Sequence, residues 1–496
     1  MPDFPSVVDI VHVTLRVADV EFAGTDDTLI ACFSEEDCFD LSKPDWNDNE
    51  RGQTEVHVVE GFDMPRARVD RFTVAIDDGS DRFEPVCAAL SLDGEPISCQ
   101  PMTEYLGTDD DDELPLWSGE LSLACRGCFD TMVSHGPFIG PSGALWFRTD
   151  ATRRVVVSVG DSVDSLAPHT IVYPLAVDDF TVQVELASEG PGEHWVGLEV
   201  DGVSMEPVLL EVPERLTRLA FGSCIKSDEQ PVWSGIVAWE PDLFLFIGDN
   251  HYANSDDLGT LRSWYRWGVE RRGLLQGTSQ LATWDDHDYV GNNTDGSEPG
   301  RDVALRTFVE YWANPSYGAD DLAGVFTRQR VGDVEVFLID DRYWRGFDDS
   351  MLGDAQQAWL IEAVQGSDAP WKLLGSGSQW TSQGSGDSWA AFDDAREALF
   401  AELTQVPGVV LLSGDIHRSE LRLLPAPGYD LPELTSSPLA NLPSLCKSSE
   451  EQIACYDDGV SWIGVEIAAD QLTATIYDEA GEAQASWDID RADLQP

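Results

Sequence analysis

The stretch Leu243-Phe244-Leu245-Phe246-Ile247-Gly248-Asp249-Asn250-His251-Tyr252 joins five consecutive apolar residues to a polar tail. An apolar run of that length without alternation fits a strand covered on both faces, as in a parallel sheet. The Gly-Asp marks where the chain leaves the sheet, and in open α/β sheets the site lies just beyond the carboxyl ends of the strands. The same junction recurs along the chain. Leu219-Ala220-Phe221 runs into Gly222-Ser223-Cys224, and Leu281-Ala282-Thr283-Trp284 into Asp285-Asp286-His287-Asp288, with Asn292-Asn293 beyond. Residues 334–339 run into Asp340-Asp341-Arg342, and residues 409–413 into Gly414-Asp415-Ile416-His417. Helical segments expected at 260–275 and 354–364 separate these strands, so residues 215–496 read as an α/β domain. The chain has eight histidines, and the three in this domain, His251, His287 and His417, all fall at strand ends beside carboxylates. That concentration predicts a metal site.

Upstream the texture is all-β. Residues 11–17, 55–59 and 71–76 alternate with period two, and an acidic run at 108–113 reads as a solvated linker. A second set of strands is expected at 144–149, 154–159, 180–185 and 194–200, spaced as in a fibronectin-like sandwich. The expected organisation is therefore two β-sandwiches, at 1–105 and 118–214, ahead of the α/β domain.

With 91 acidic against 30 basic residues the net charge is −61, which repels nucleic acid and anionic membranes and favours cations and salty, marine or halophilic surroundings. A hydrophobic content of 42% excludes a disordered acidic chain. No apolar run approaches the ~20 residues of a membrane span. The opening Met1-Pro2-Asp3 carries no secretory signal, which fits a cytoplasmic chain or a processed terminus. The nine cysteines argue for the second: eight form local pairs (Cys32/Cys38, Cys87/Cys99, Cys125/Cys128, Cys446/Cys455), leaving Cys224 alone after its strand. Four short-loop disulfides imply an oxidising compartment, hence a secreted or periplasmic protein.

The ordered motifs Gly222-Ser223-Cys224, Gly248-Asp249-x-x-Tyr252, Trp284-Asp285-Asp286-His287-Asp288, Asn292-Asn293, Asp340-Asp341-Arg342 and Ser413-Gly414-Asp415-x-His417 resemble the PhoD-type alkaline phosphatases of the calcineurin-like metallophosphoesterases. The resemblance implies a four-layer αββα catalytic domain preceded by a β-sandwich. It also implies hydrolysis of phosphate monoesters, and of diesters, by a metal-held hydroxide. The first 90 or so residues resemble instead a PLAT β-sandwich, through Gly24-Thr25-Asp26 and Glu50-Arg51-Gly52, which implies a calcium, lipid or protein ligand.

Chemistry supports the match residue by residue. Asp249 can bridge two cations with its two oxygens and so position the attacking water. Tyr252 as a phenolate and Cys224 as a thiolate favour a strongly acidic metal, iron(III), with His417 completing its shell. Asp249, Asp415, Asp286 and Asn292 or Asn293 offer oxygens to a hard cation, calcium first, then manganese or magnesium. His287 is the expected general acid and Arg342 the expected phosphate clamp. Asn250 and His251 are expected to touch substrate. Two other functions compete: a phosphodiesterase or phospholipase steered to lipid by the PLAT-like part, and a non-catalytic, calcium-dependent adhesion protein.

Overall fold

The protein is described from a computed structural model. It covers residues 132–136, 142–149 and 153–496 apart from 188–190, 201–202, 272–274, 276, 320–321 and 385. Before residue 132 it describes the backbone of eight strands between Val7 and Glu120. These pair into two four-stranded sheets. Val7–Val17 lies antiparallel between Thr54–Pro65 and Pro85–Leu92, and Arg71–Asp77 between Thr28–Cys32 and Trp117–Glu120. The turns at 23–27 and 49–52, the acidic run at 108–113 and Cys125 and Cys128 lie outside the described residues.

A second β module follows. Met132–His135, Ser142–Arg148 and Thr181–Ala187 form one antiparallel sheet, and Ala167–Val172, Val155–Gly160 and Gly192–Val200 lie in a five-stranded sheet with Val203–Ser204 and Val208–Val212. Alternate residues of the two sheets, including Leu145, Phe147, Val155, Val157, Leu186 and Leu198, share one core.

The remainder holds two mixed sheets. Strands β1 (Arg218–Gly222), β2 (Leu243–Ile247) and β3 (Ser279–Thr283) run parallel. The next segments are β4 (Thr327–Val331), β5 (Val334–Leu338), β6 (Trp371–Gly375), β7 (Val409–Ser413), β8 (Ser419–Leu424), β9 (Leu431–Thr435) and β10 (Gln452–Tyr456). They form a seven-stranded sheet in the order β4-β5-β6-β7-β9-β8-β10, with β5, β6, β7 and β9 parallel. The last three, β11 (Ser461–Ile467), β12 (Gln471–Asp478) and β13 (Ala483–Asp490), extend the first sheet as β3-β2-β1-β11-β12-β13.

The strands expected at 243–247 and 409–413 have those bounds because both faces are covered. On β2, Leu243, Leu245 and Ile247 point into the core shared with the second sheet, while Phe244 and Phe246 pack under helices α1 (Val232–Ala238), α2 (Leu258–Arg271) and α4 (Arg301–Tyr311). The intervening α3 (Asp286–Tyr289) is a single turn beside the strand ends. Helices α5 (Gly353–Gln365) and α6 (Asp393–Leu403) add Leu360, Leu399 and Phe400 to the same core.

The second β module is joined to α2 and α4 by a polar junction. Trp146 Nε1 donates to the Glu310 carbonyl at 2.7 Å, and Gln183 Nε2 to those of Val309 and Trp312 at 2.7 and 2.8 Å. Asp179, 8% exposed, accepts from Arg266 at 2.8 Å, from Arg148 at 3.2 Å, and from the Tyr311 hydroxyl.

Of the cysteine pairs, Cys446–Cys455 is a disulfide, and Cys224 is free and buried. The side chains of the other pairs lie outside the described residues. No described helix is long and apolar enough to cross a membrane.

Candidate metal centre

The five expected motifs leave the carboxyl ends of β1, β2, β3, β5 and β7 and meet at one rim of the two sheets. Turning so sharply off a strand puts Cys224, Asp249, Asp415 and His417 in left-handed backbone, with φ of 65°, 51°, 70° and 57°. Such conformations cost roughly 1–3 kcal/mol each where the residue is not glycine. The glycines of the two Gly-Asp turns serve close approach: a Cβ on Gly248 would lie 2.6 Å from that of Asp285, and one on Gly414 2.5 Å from Ser223 Oγ.

Cys224 Sγ lies 3.4 Å from Asp249 Oδ2 and 3.5 Å from the Asp415 carbonyl oxygen. The Tyr252 hydroxyl donates to Asp249 Oδ2 at 2.9 Å and sits 3.1 Å from His417 Nε2. Ligand atoms of Cys224, Asp249 and His417 fall within 4.8 Å of one another, and so do those of Asp249, Asp286 and His287. Asp249 belongs to both groups, which is the arrangement of a carboxylate between two cations. Asp286 Oδ1 is buried and accepts no hydrogen bond among the described residues, while its Oδ2 accepts from the Asn293 amide at 2.7 Å. Asn292, Asn293 and Asp415 line the same cleft, of about 440 Å³, without joining either group.

Without cations this cluster is electrostatically unbalanced. Burial, then the neighbouring Cys224, Asp286, Asp288 and Asp415, push the Asp249 carboxyl well above its usual range. Burial pushes the Cys224 thiol up to about 12 and the Asp415 carboxyl up to about 7, and drives the Tyr252 phenol far upward. Crowded, desolvated anions of this kind are what a multivalent cation offsets. The donor set fits: thiolate, phenolate and imidazole on one side, carboxylate oxygens on the other.

Residues 261–439 match the family model described as PhoD-like phosphatase. This segment is a PhoD-like phosphatase domain. The solved structure titled "Structure of PhoD" superposes with a TM-score of 0.63 at 16% identity, covering 73% of this chain and 90% of that one. A purple acid phosphatase, PPD1 from yellow lupin (Lupinus luteus) seeds, superposes with a TM-score of 0.60 at 10% identity, covering 99% of this chain and 92% of that one. At such identities the structures speak for the metallophosphoesterase fold. No curated protein matches the sequence. The chain is accordingly a phosphoesterase.

Within the PhoD-like domain the Trp-Asp-Asp-His-Asp motif divides its labour. Asp286 and His287 face the cleft. Asp288 is an internal staple, accepting from the amides of Asp285 at 2.7 Å and Asn250 at 3.0 Å. Asp285 meets Arg342. That arginine is 0% exposed: Nε donates to Asp285 at 2.6 Å, Nη2 to Asp387 at 2.8 Å and Ser378 at 3.1 Å, and Nη1 to the Thr294 carbonyl at 3.2 Å. Every arm is engaged below the site, so Arg342 is not the expected phosphate clamp but the counter-ion that holds the floor of the site. Arg342→Met should therefore lower the unfolding free energy by about 3–5 kcal/mol, read from the denaturant midpoint, because it leaves buried carboxylates unpaired. A phosphate clamp would instead raise KM and leave stability intact.

Two further expectations are corrected. The Asn250 amide donates to the Thr283 carbonyl at 2.8 Å and to Asp288 at 2.6 Å, tying β2 to β3 away from the cleft. His251 packs edge-on against Tyr265, ring centres 4.3 Å apart, in the aromatic layer under α2. Neither lines the cleft.

His287 Nδ1 lies 2.6 Å from Asn254 Oδ1, which makes Nδ1 the donor and leaves the Nε2 lone pair 3.9 Å from Asp286 Oδ1. Burial lowers its pKa below the ordinary imidazole value. A neutral ring with an open Nε2 favours a cation-holding role over the expected general-acid role.

The sequence reading missed another part of the cleft's lining, formed by Gln379, Arg418, Arg422 and residues of the 444–449 loop. Its one visible signal was the alternation Arg418-x-Glu420-x-Arg422 directly after the His417 motif.

Proposed function

We propose that this phosphatase hydrolyses phosphate monoesters and diesters at a binuclear centre of iron(III) and calcium, in a secreted or periplasmic setting. The observation that carries the reading is the sharing of Asp249 by two groups of ligand atoms, one containing Cys224 and His417 and the other Asp286 and His287. Cys224, Tyr252, Asp249 and His417 would hold the iron, and Asp249, Asp286, His287, Asp415 and Asn292 or Asn293 the second cation. When bound, such a pair supplies a water acidified to near neutrality and positive charge against the phosphoryl oxygens.

The chain's own residues do the rest. Asn254 orients the His287 ring. Arg342 fixes Asp285 beneath the cluster and Asp288 ties the β2 and β3 ends together, so that Asp249 and Asp286 stay in register. The Cys446–Cys455 bridge suits an oxidising compartment.

Protein supplied with iron and calcium should hydrolyse p-nitrophenyl phosphate and bis-p-nitrophenyl phosphate. Failure with both esters removes the proposal. Tyr252 as a phenolate on iron(III) should colour the protein, and Tyr252→Phe should bleach the visible band. A colourless, iron-free and active enzyme refutes the iron assignment while sparing the reaction.

A further inference from the structure

The cleft is lined by both signs of charge: Asp249, Asp286 and Asp415, and also Arg418, Arg422 and Lys447. In a chain with only 30 lysines and arginines against 91 acids, three in one cleft need a reason.

Part of this charge serves the interior. Buried Glu420, 0% exposed, accepts from Arg418 Nε at 2.7 Å and from Arg422 Nε at 2.6 Å. Buried Glu433 and nearly buried Glu451 also face Arg422. Arg422 Nη1 is spent on Ser449 Oγ at 2.8 Å and on Glu451 at 3.5 Å. Arg418 Nη1 reaches only the Ile416 carbonyl, at 3.5 Å, and Nη2 of either arginine takes no hydrogen bond among the described residues. Both side chains are nine-tenths buried or more, so these edges are held in place by packing and by Glu420.

Lys447 has no such duty. It is exposed and makes no ion pair among the described residues, yet it is presented over the cleft by a braced loop. The Ser444 amide donates to the His417 carbonyl at 2.7 Å, and Cys446 is bonded to Cys455. Fixed, partly desolvated donors facing a cavity are what charge-assisted recognition of an anion requires.

We propose that Arg418, Arg422 and Lys447 form a subsite for a second anionic group, selecting phosphate esters whose leaving group carries a further phosphate or carboxylate. The proposal rests on the phosphatase reading, which supplies the first phosphate's place at the cation side. These three residues set which ester is preferred.

The test is calorimetric binding to the iron- and calcium-loaded protein of α,ω-alkanediphosphonates with two to six carbons, against alkylphosphonates of the same lengths. The best diphosphonate should bind about tenfold tighter than its monophosphonate. Lys447→Ala and Arg418→Gln should each reduce that advantage to about twofold or less while leaving the monophosphonate affinity in place. Lys447 is exposed, so its variant tests the idea even if Arg418→Gln does not fold. Equal affinity for both ligands in the wild type overturns the subsite. So does a parallel loss of both affinities in the Lys447 variant, which would assign these residues to the reacting phosphoryl group. Binding of neither ligand by the wild type overturns the phosphatase reading and takes the subsite with it. Glucose 1,6-bisphosphate against glucose 1-phosphate gives the kinetic counterpart, with the KM of the bisphosphate alone rising in Lys447→Ala.

Discussion

Asp249→Asn should lower turnover of phosphate esters on the order of 10³-fold or more while the protein stays folded. Asparagine keeps the shape of aspartate but offers one oxygen and no charge. It cannot serve the Cys224–His417 group and the Asp286–His287 group at once. Residues that act as one unit fail together, so the loss should approach that of removing the centre outright. The stability readout moves differently. Wild-type protein should gain melting temperature on adding metal, because binding to the folded state alone stabilises it by mass action. The variant should gain little. It should also unfold no earlier than metal-free wild type, since it removes one of the carboxylates crowded by Asp286, Asp288 and Asp415. A variant that keeps both its turnover and its metal-dependent melting shift would show that Asp249 is not shared.

Asp179→Asn carries the second large effect, on stability alone. Burial would push the Asp179 carboxyl up, but Arg148, Arg266 and Arg262 outweigh it and hold the carboxyl far below the usual range. The side chain links the 132–212 module to Arg266 of α2 and Tyr311 of α4, 87 and 132 residues away in sequence but in direct contact in space. Neutralising it leaves two buried guanidiniums without their partner, at a cost of about 3–5 kcal/mol. Its folded-state pKa lies below the unfolded one. The contribution is therefore fully present above about pH 4 and lost as pH falls through the carboxylate range. Acid titration of stability should accordingly be shallower in the variant than in wild type. Equal slopes and equal midpoints would show the junction to be energetically neutral.

The candidate metal centre was legible because its geometry is local. A buried strand has to be apolar throughout, so an acid, thiol or imidazole just after one stands out, and Cys224, Asp249, Asp286 and His417, whose ligand atoms the structure gathers into two groups sharing Asp249, all stand out that way. What was not legible was where a side chain goes once it leaves the strand. Arg342 and His251 sit at strand ends like the ligands, but the first turns down to Asp285 and Asp387 and the second into the rings of α2. Nothing in their immediate sequence distinguishes those directions, which are decided by partners elsewhere in the chain, 45 and 57 residues away for Arg342. Strand β6 escaped notice because Lys372 interrupts Trp-Lys-Leu-Leu-Gly. Its ammonium is nonetheless buried, donating to the carbonyls of Ala369 at 2.6 Å and Pro407 at 3.2 Å. The basic lining was hidden for a related reason: Lys447 reaches the cleft through a loop whose position depends on the Cys446–Cys455 bond.

The left-handed backbone at Cys224, Asp249, Asp415 and His417 has a consequence for anyone breeding a hardier version of this protein. Glycine relaxes that conformation at each of the four places, and asparagine tolerates it well. Selection for heat tolerance alone, with no demand for turnover, would drift toward exactly the residues that erase the centre. Robust offspring from such a screen should be sequenced at these four codons first, because the easiest gains there are inert.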